Sequence, residues 1–375
     1  MRDAVSLRAR IERSFWSADG HTGVRALDGV LHALSLGFEA AAQLRNRAYD
    51  SELLRIHPAG CPTVCVGNPT VGGSGKTPVV GYLAEGLAAR GERVAILNRG
   101  YGGRHVRDPA VVTEPDAARF GDEASMLASR LAAVDIVVGA DRVRSAALAR
   151  ARGATVLLMD DGFQHRRLAR DVDVVVVDGS RGLGNGFVLP RGPLRESASC
   201  LRRADLVLLK RGSGGHWDTL IEHGVRDLAE GVAVLPFRLV PLGLTNGAGS
   251  SKPVSALRGK RVFAVSGIGH PAGFLASLDE LQASVVERLE FPDHHAYLAA
   301  DLQRIQARAR AVGADAIVTT AKDLAKIGSV PADDEIERWS LDVGVEVDEG
   351  VDLVGWVLDR ARDARAGRGP RRAGP

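Results

Sequence analysis

The sequence predicts an α/β fold, in which a parallel sheet carries helices on both faces and a second, smaller α/β domain follows it. Two observations lead there. From residue 62 onward, short runs rich in Val, Leu and Ile show little polar alternation, as in strands buried on both faces. Stretches with helical spacing separate these runs, and regular strand–helix alternation implies a parallel sheet between helical layers. The length, 375 residues with 45% hydrophobic and 25% charged, is ordinary for a globular chain and allows two domains of typical size.

The amino-terminal unit, residues 1–60, reads as helical. Apolar spacing predicts an amphipathic helix over 22–47, with Val24, Leu27, Val30, Leu31, Leu34, Phe38 and Ala41 on one stripe. Phe15 and Trp16 lie upstream, beside the basic cluster Arg8, Arg10 and Arg13. These features suit a helix lying in a membrane interface. They suit equally a helix packed on the protein's own core. The first α/β domain is expected over 61–238, with strands at 63–66, 94–97, 136–138, 155–159, 172–177 and 206–209. Helices are expected at 79–90, 123–132 and 142–152. Gly, Ser and Pro in 239–252 suggest a linker. The smaller domain, 253–363, alternates strands at 262–265, 285–289 and 316–319 with helices at 271–280 and 301–312, and closes with a helix at 352–362. The Arg-, Gly- and Pro-rich residues 364–375 read as a disordered basic tail.

Composition narrows the function classes. The net charge is only +3, and no aromatic residues interleave with the arginines, which argues against nucleic acid as a partner. The three cysteines, Cys61, Cys65 and Cys200, cannot form a disulfide framework and read as buried thiols in a reducing compartment. No segment is long enough for a membrane-spanning helix, and no cleavable secretory signal is evident, so the chain is expected on the cytoplasmic side.

The most specific local signal is Thr70-Val71-Gly72-Gly73-Ser74-Gly75-Lys76-Thr77, which follows a strand and opens a helix. Glycines there let backbone N–H groups approach phosphate oxygens, and the helix amino end favours their charge. Lys76 would reach the β- and γ-phosphates, and the Thr77 hydroxyl would bind Mg2+. Thr70 stands where the usual pattern has Gly. These residues predict a P-loop NTPase-type sheet that binds a nucleoside triphosphate. Such a site needs a carboxylate across from the loop to hold magnesium. Asp160 and Asp161 follow a strand and meet that need, with Asp178 as a rival. Asp122, at a predicted helix start, reads as a helix cap or as a catalytic group. Phe291-Pro292-Asp293-His294-His295 supplies candidate bases for an alcohol acceptor.

Taken in order, the motifs resemble those of the tetraacyldisaccharide 4'-kinases of lipid A biosynthesis. They run from Val66-Gly67-Asn68 and the phosphate loop through Arg99-Gly100-Tyr101-Gly102-Gly103, Gly121-Asp122-Glu123 and Gly139-Ala140-Asp141-Arg142. Asp160-Asp161-Gly162-Phe163-Gln164-His165 follows, then Asp178 to Gly186 and Leu189 to Glu196. Gly267-Ile268-Gly269, Phe291 to His295 and Thr320-Ala321-Lys322-Asp323 complete the set. The resemblance implies ATP and Mg2+ as cofactors and the 4'-hydroxyl of a tetraacylated glucosamine disaccharide 1-phosphate as acceptor. It further implies a peripheral enzyme on the cytoplasmic face of the bacterial inner membrane, with Asp122, His294 and Lys76 catalytic. No protein partner is evident. Asn98, Pro69 and Ala321 depart from the family pattern, the first two in loop shape and the third next to Lys322-Asp323, whose place near the nucleotide it leaves open. A nucleotide-hydrolysing switch protein is the runner-up, but Thr320 to Asp323 matches its Asn-Lys-x-Asp signature only in part. A nucleotide-binding scaffold without chemistry would leave the polar run Asp160 to His165 unexplained.

Overall fold

The structure, a computed structural model, describes residues 7–17, 20–104, 108–212, 219–328 and 336–367, without the side chains of Arg8 and Ala9. The basic tail therefore lies outside the described residues beyond residue 367, as does the Arg8 side chain of the amino-terminal cluster.

Helix α1 (Leu7–Ser14) and the long α2 (Arg25–Asp50) precede the sheet. The first half then runs β1 (Thr63–Gly67), α3 (Lys76–Ala89), β2 (Val94–Asn98), β3 (Ala110–Val111), α4 (Ala117–Phe120), α5 (Asp122–Arg130), β4 (Asp135–Val138), α6 (Arg142–Ala151) and β5 (Val156–Asp160). β6 (Val172–Asp178), a 3-10 helix Ala198–Arg203, β7 (Leu206–Lys210), α7 (Thr219–Leu228), β8 (Ala233–Thr245) and β9 (Ser251–Lys252) follow. The second half comprises β10 (Arg261–Ser266), α8 (Ala272–Glu280), β11 (Ser284–Glu290), α9 (Ala299–Ala311), β12 (Ala316–Thr320), α10 (Ala321–Ile327), β13 (Arg338–Val347) and α11 (Leu353–Arg365).

Among the described residues one sheet joins every strand, in the order β11-β10-β12-β13-β8-β7-β6-β1-β5-β2-β4-β3, with β9 paired to β8. Alternate residues of β1 show how the layers form. Val64 and Val66 pack with α3 residues Val80 and Leu83 and with Val357 of α11 on one face. Cys65 packs on the other face with Ala146 of α6, Phe163 and Leu201. Burial on both faces is why these strands lack polar alternation. All three cysteines are buried and free, as expected. In the second half α8 covers one face and α9 the other.

Pairing is mostly parallel. The exceptions are β8 with β13, β8 with β9, and β3 with β4. The connection from β1 leads towards β2 on one side, whereas that from β5 leads to β6 on the other. Opposed connections open a crevice beyond the carboxyl ends of neighbouring strands, the usual ligand site of such sheets.

The linker expected over 239–252 is instead largely strand. β8 pairs in parallel with β7 through Phe237 and continues antiparallel to β13 as far as Thr245. Pro241 and Gly243 misled the reading because they sit at a register shift, opposite Asp342 and Val343, where a bulge tolerates both residue types. The helix expected over 22–47 occurs three residues further on, and its apolar stripe is mostly open. Only Leu31 and Ser35 of α2 are buried, while Val30 and Leu34 are 58% and 56% exposed. Ser35 Oγ donates to Val188 O at 2.8 Å, and Asn46 Nδ2 donates to Glu196 Oε2 at 2.8 Å. α2 is thus pinned to the core along one edge only.

Candidate active site

The phosphate loop spans the turn between β1 and α3. Gly72 and Gly75 have φ of +94° and +91°, a left-handed conformation that strains any residue with a Cβ. A Cβ on Gly72 or Gly73 would meet nothing within 4 Å, so the space beside them is open to a ligand. A second segment braces the loop: Val71 N donates to Pro193 O, and Arg195 N to Pro69 O, each at 2.8 Å, while Thr70 bridges to Leu194. Lys76 and Thr77 are the first two residues of α3. Lys76 Nζ donates to Asn68 Oδ1 at 3.0 Å and lies 3.6 Å from Asp161 Oδ1. Ser74 Oγ is buried without a hydrogen-bond partner among the described residues.

Asp160 ends β5 beside this loop, and its carboxylate is buried. Oδ2 accepts from Asn98 Nδ2 at 2.9 Å, whereas Oδ1 is buried without a hydrogen-bond partner among the described residues. Burial first, then Glu123 and Asp161, push its pKa up to about 7 against the pull of Lys76 and Asn98. Burial raises Asp161 too, but Lys76, Arg195 and Arg142 outweigh it and leave its pKa lowered. Both Asp161 oxygens accept from Arg195 Nη1 at 2.9 Å. Arg142, its own pKa lowered to about 10 by burial, donates to Asp160 O at 3.3 Å and to Gly139 O at 2.6 Å. Asp141 caps α6 by accepting from Val143 N and Arg144 N. The rival Asp178 is occupied: Oδ2 accepts from Lys210 Nζ and Oδ1 from Ser180 Oγ, both at 2.6 Å.

Asp122 is the first residue of α5, its amino end fixed by a glycine crossing. A Cβ on Gly121 would meet Tyr101 O at 2.5 Å, and one on Gly103 would meet Gly121 N at 2.6 Å. Two backbones therefore touch there, which explains the glycines in both motifs. The buried Asp122 is not a side-chain helix cap. Its Oδ1 accepts from Glu123 N, and Oδ2 meets His294 Nδ1 at 2.9 Å. These two residues lie 172 apart in sequence and belong to different halves of the sheet. His294 has φ +60°, a strained conformation for a non-glycine residue, and its ring meets Tyr101 edge-on at 5.0 Å. His295 faces elsewhere: Nε2 bonds Asp301 Oδ2 at 3.1 Å, and the ring stacks on Phe291.

Lys322 lies with these carboxylates, 3.5 Å from Asp122 Oδ2, 3.6 Å from Glu123 Oε1 and 3.3 Å from Asp293 Oδ1. Burial opposes its charge, yet Glu123, Asp122 and Asp293 together raise its pKa. Buried Asp323 accepts from Gly267 N at 2.9 Å and from Thr320 Oγ1 at 2.7 Å. The segment following Ala321 thus braces the Asp122 side of the site.

One cleft of about 2610 Å³ takes in the phosphate loop, Asp160, Asp161 and His294, and extends to Phe38 and Arg45 on α2. Sequence reasoning missed four residues here: Asn68, which holds Lys76; Arg195, which holds Asp161; Gln164, which donates to Asn68 O and Glu196 Oε1; and Asn98, first read only as a matter of loop shape. The first three stand in the quoted motifs, but polarity within a motif does not reveal the partner.

The family model described as Tetraacyldisaccharide-1-P 4'-kinase matches residues 27–361. The tetraacyldisaccharide 4'-kinase of Anaeromyxobacter sp. (strain K) is 43% identical over 334 residues, 86% of this chain and 88% of that protein. The tetraacyldisaccharide 4'-kinase of Geobacter metallireducens is 38% identical over 313 residues, 82% of this chain and 90% of that protein. Among solved structures, LpxK from Aquifex aeolicus in complex with ATP aligns with a TM-score of 0.72 and 30% identity, covering 89% of this chain and 99% of that one.

Proposed function

The chain belongs to the tetraacyldisaccharide-1-phosphate 4'-kinase family, and from that premise we propose that it transfers the γ-phosphoryl group of ATP to the 4'-hydroxyl of an acylated glucosamine disaccharide 1-phosphate. The observation that carries the reading furthest is the contact at 2.9 Å of buried Asp122 with His294, a residue that lines the cleft holding the phosphate loop. A hydrolytic switch needs a positioned water. A kinase needs a group to take the proton of an alcohol.

Each residue then has a role. The backbone from Thr70 to Gly75 cradles the phosphates, and Lys76 leaves Asn68 and Asp161 to neutralise the β- and γ-phosphate oxygens. The Asp122–His294 pair receives the acceptor's proton as the oxygen attacks phosphorus, while Lys322 keeps the surrounding carboxylates in register. The orphaned Asp160 Oδ1 suits a magnesium ligand, and Thr77 and Asp161 stand with it. These residues would hold magnesium, which would supply charge neutralisation on the phosphates. Arg195 would have to release Asp161 for that residue to join.

The acceptor's acyl chains place the reaction at a lipid surface, and the enzyme is read as peripheral to the cytoplasmic face of the inner membrane. Among the described residues no helix is long and apolar enough to cross a membrane. Support for surface binding comes from α2, where Val30, Leu34 and Leu44 stay exposed, as do Leu53 and Leu54 just after it. Replacing Val30, Leu34 and Leu44 together by Glu is expected to weaken co-sedimentation with anionic vesicles by at least about tenfold. Melting should be unchanged, since buried Leu31 and Ser35 are untouched. Unaltered sedimentation would remove α2 as the membrane contact.

The transfer itself is tested with γ-labelled ATP. Label should move to the lipid fraction only when acceptor is present, and ADP release should depend on acceptor. Release of labelled inorganic phosphate at the same rate without acceptor would favour the hydrolytic switch.

A further inference from the structure

Two motifs have no part in the reading above. Arg181 opens the run Arg181-Gly182-Leu183-Gly184-Asn185-Gly186, and His270 follows Gly267-Ile268-Gly269. They lie 89 residues apart, yet Arg181 Nη2 and His270 Nδ1 meet at 2.6 Å, and both line the cleft that holds the phosphate loop. The Arg181 guanidinium also lies over Trp16, 4.6 Å from the ring centroid.

The charge balance is unusual. Among the described residues no carboxylate forms an ion pair with Arg181, and the nearby Asp178 is taken by Lys210 and Ser180. Burial first, and then Arg181, lower the pKa of His270. A neutral imidazole that accepts on Nδ1 carries its proton on Nε2. The pair thus presents guanidinium and imidazole N–H donors and a positive charge with no carboxylate in direct contact, offset in part by Asp178, which is itself bonded to Lys210. This donor set is matched to a phosphate monoester.

Position selects among phosphates. Arg181 follows β6, the neighbour of β1, so it stands beside the phosphate loop rather than within it. The same loop is tied to the amino-terminal end of the chain: Asn185 N donates to Phe15 O at 2.9 Å, and Asn185 Nδ2 to Ser14 O at 3.0 Å. An acceptor held at the lipid surface by its acyl chains would meet this face while its reacting hydroxyl points to Asp122. We propose that Arg181 and His270 form the subsite for the anomeric phosphate of the disaccharide acceptor, the end remote from the reacting hydroxyl. This rests on the kinase reading above.

The test compares two acceptors, the disaccharide 1-phosphate and the same acylated disaccharide with a free anomeric hydroxyl. The wild-type enzyme should prefer the phosphorylated acceptor in kcat/KM by roughly tenfold to hundredfold, as expected for charge-assisted hydrogen bonds. Arg181→Ala should abolish that preference by losing activity on the phosphorylated acceptor alone, with the KM for ATP unchanged. Because Arg181 also packs on Trp16, Arg181→Gln serves as a second variant that keeps a polar side chain of intermediate length but not the charge, and it should lose the preference as well. A wild-type preference retained in both variants overturns the subsite, as does a shift confined to the KM for ATP. A wild-type enzyme that phosphorylates neither acceptor overturns the kinase reading itself, and the subsite with it.

Discussion

Lys76→Ala is expected to abolish phosphoryl transfer, lowering kcat by roughly a hundredfold or more, because the cation that would neutralise charge on the transferred group is removed. The fold should survive. Lys76 sits in the first turn of α3, whose packing comes from Val79, Val80, Leu83 and Leu87 rather than from the lysine. The loss has a local side effect, since Lys76 also balances Asp161 and holds Asn68, so Asp161 would be left to Arg195 and Arg142. Thermal melting and single-turnover transfer separate the two consequences: turnover should fall while the melt stays cooperative. Normal turnover in a folded Lys76→Ala protein would sink the phosphate-loop assignment.

The second large effect concerns the proton. Asp122→Ala and His294→Ala should each lower turnover by roughly two to four orders of magnitude, the usual worth of a positioned acid–base group. Neither residue belongs to the phosphate loop, so ATP affinity should be nearly unchanged. The double variant should be little worse than the worse single one, because two residues acting as one unit do not contribute additively. Asp122 also offsets Lys322 and Lys326, so Asp122→Asn is the gentler companion and should share the kinetic defect. His295→Ala should be much milder, since that ring serves the packing of Phe291 and Tyr297. Full activity in either Asp122→Ala or His294→Ala would remove that residue from the mechanism, and additive losses would separate the pair.

How much of this the sequence discloses depends on the range of the interaction. The phosphate loop and the Asp160-Asp161 run are local devices, in which turn, helix start and carboxylate lie within a few residues, so their types and spacing suffice. The strands of the first half are legible because burial on both faces leaves uninterrupted apolar runs such as Val174 to Val177. β8 and β13 are not legible in that way. Both are only partly buried, and β8 carries Pro241 and Gly243, whose cost is relieved by a bulge visible only once its partner is known. The amphipathic stripe on α2 is plain in the sequence, but periodicity does not say whether water, lipid or protein faces it. Site partners follow the same rule. Asp122 and His294 each stand out in a motif, whereas their contact depends on sheet order, and so do the pairings of Lys322 with Glu123 and of Arg181 with His270.

The most direct measurement of the central claim is the position of the new phosphate. Wild-type enzyme, ATP, magnesium and the acylated disaccharide 1-phosphate should yield a bisphosphorylated product, one molecule for each ADP formed. Phosphorus–proton correlation in its NMR spectrum should place the new phosphomonoester on the 4' carbon. ADP formed with no such product, or a phosphate found on any other hydroxyl, would contradict the assignment of this cleft as a 4'-kinase site.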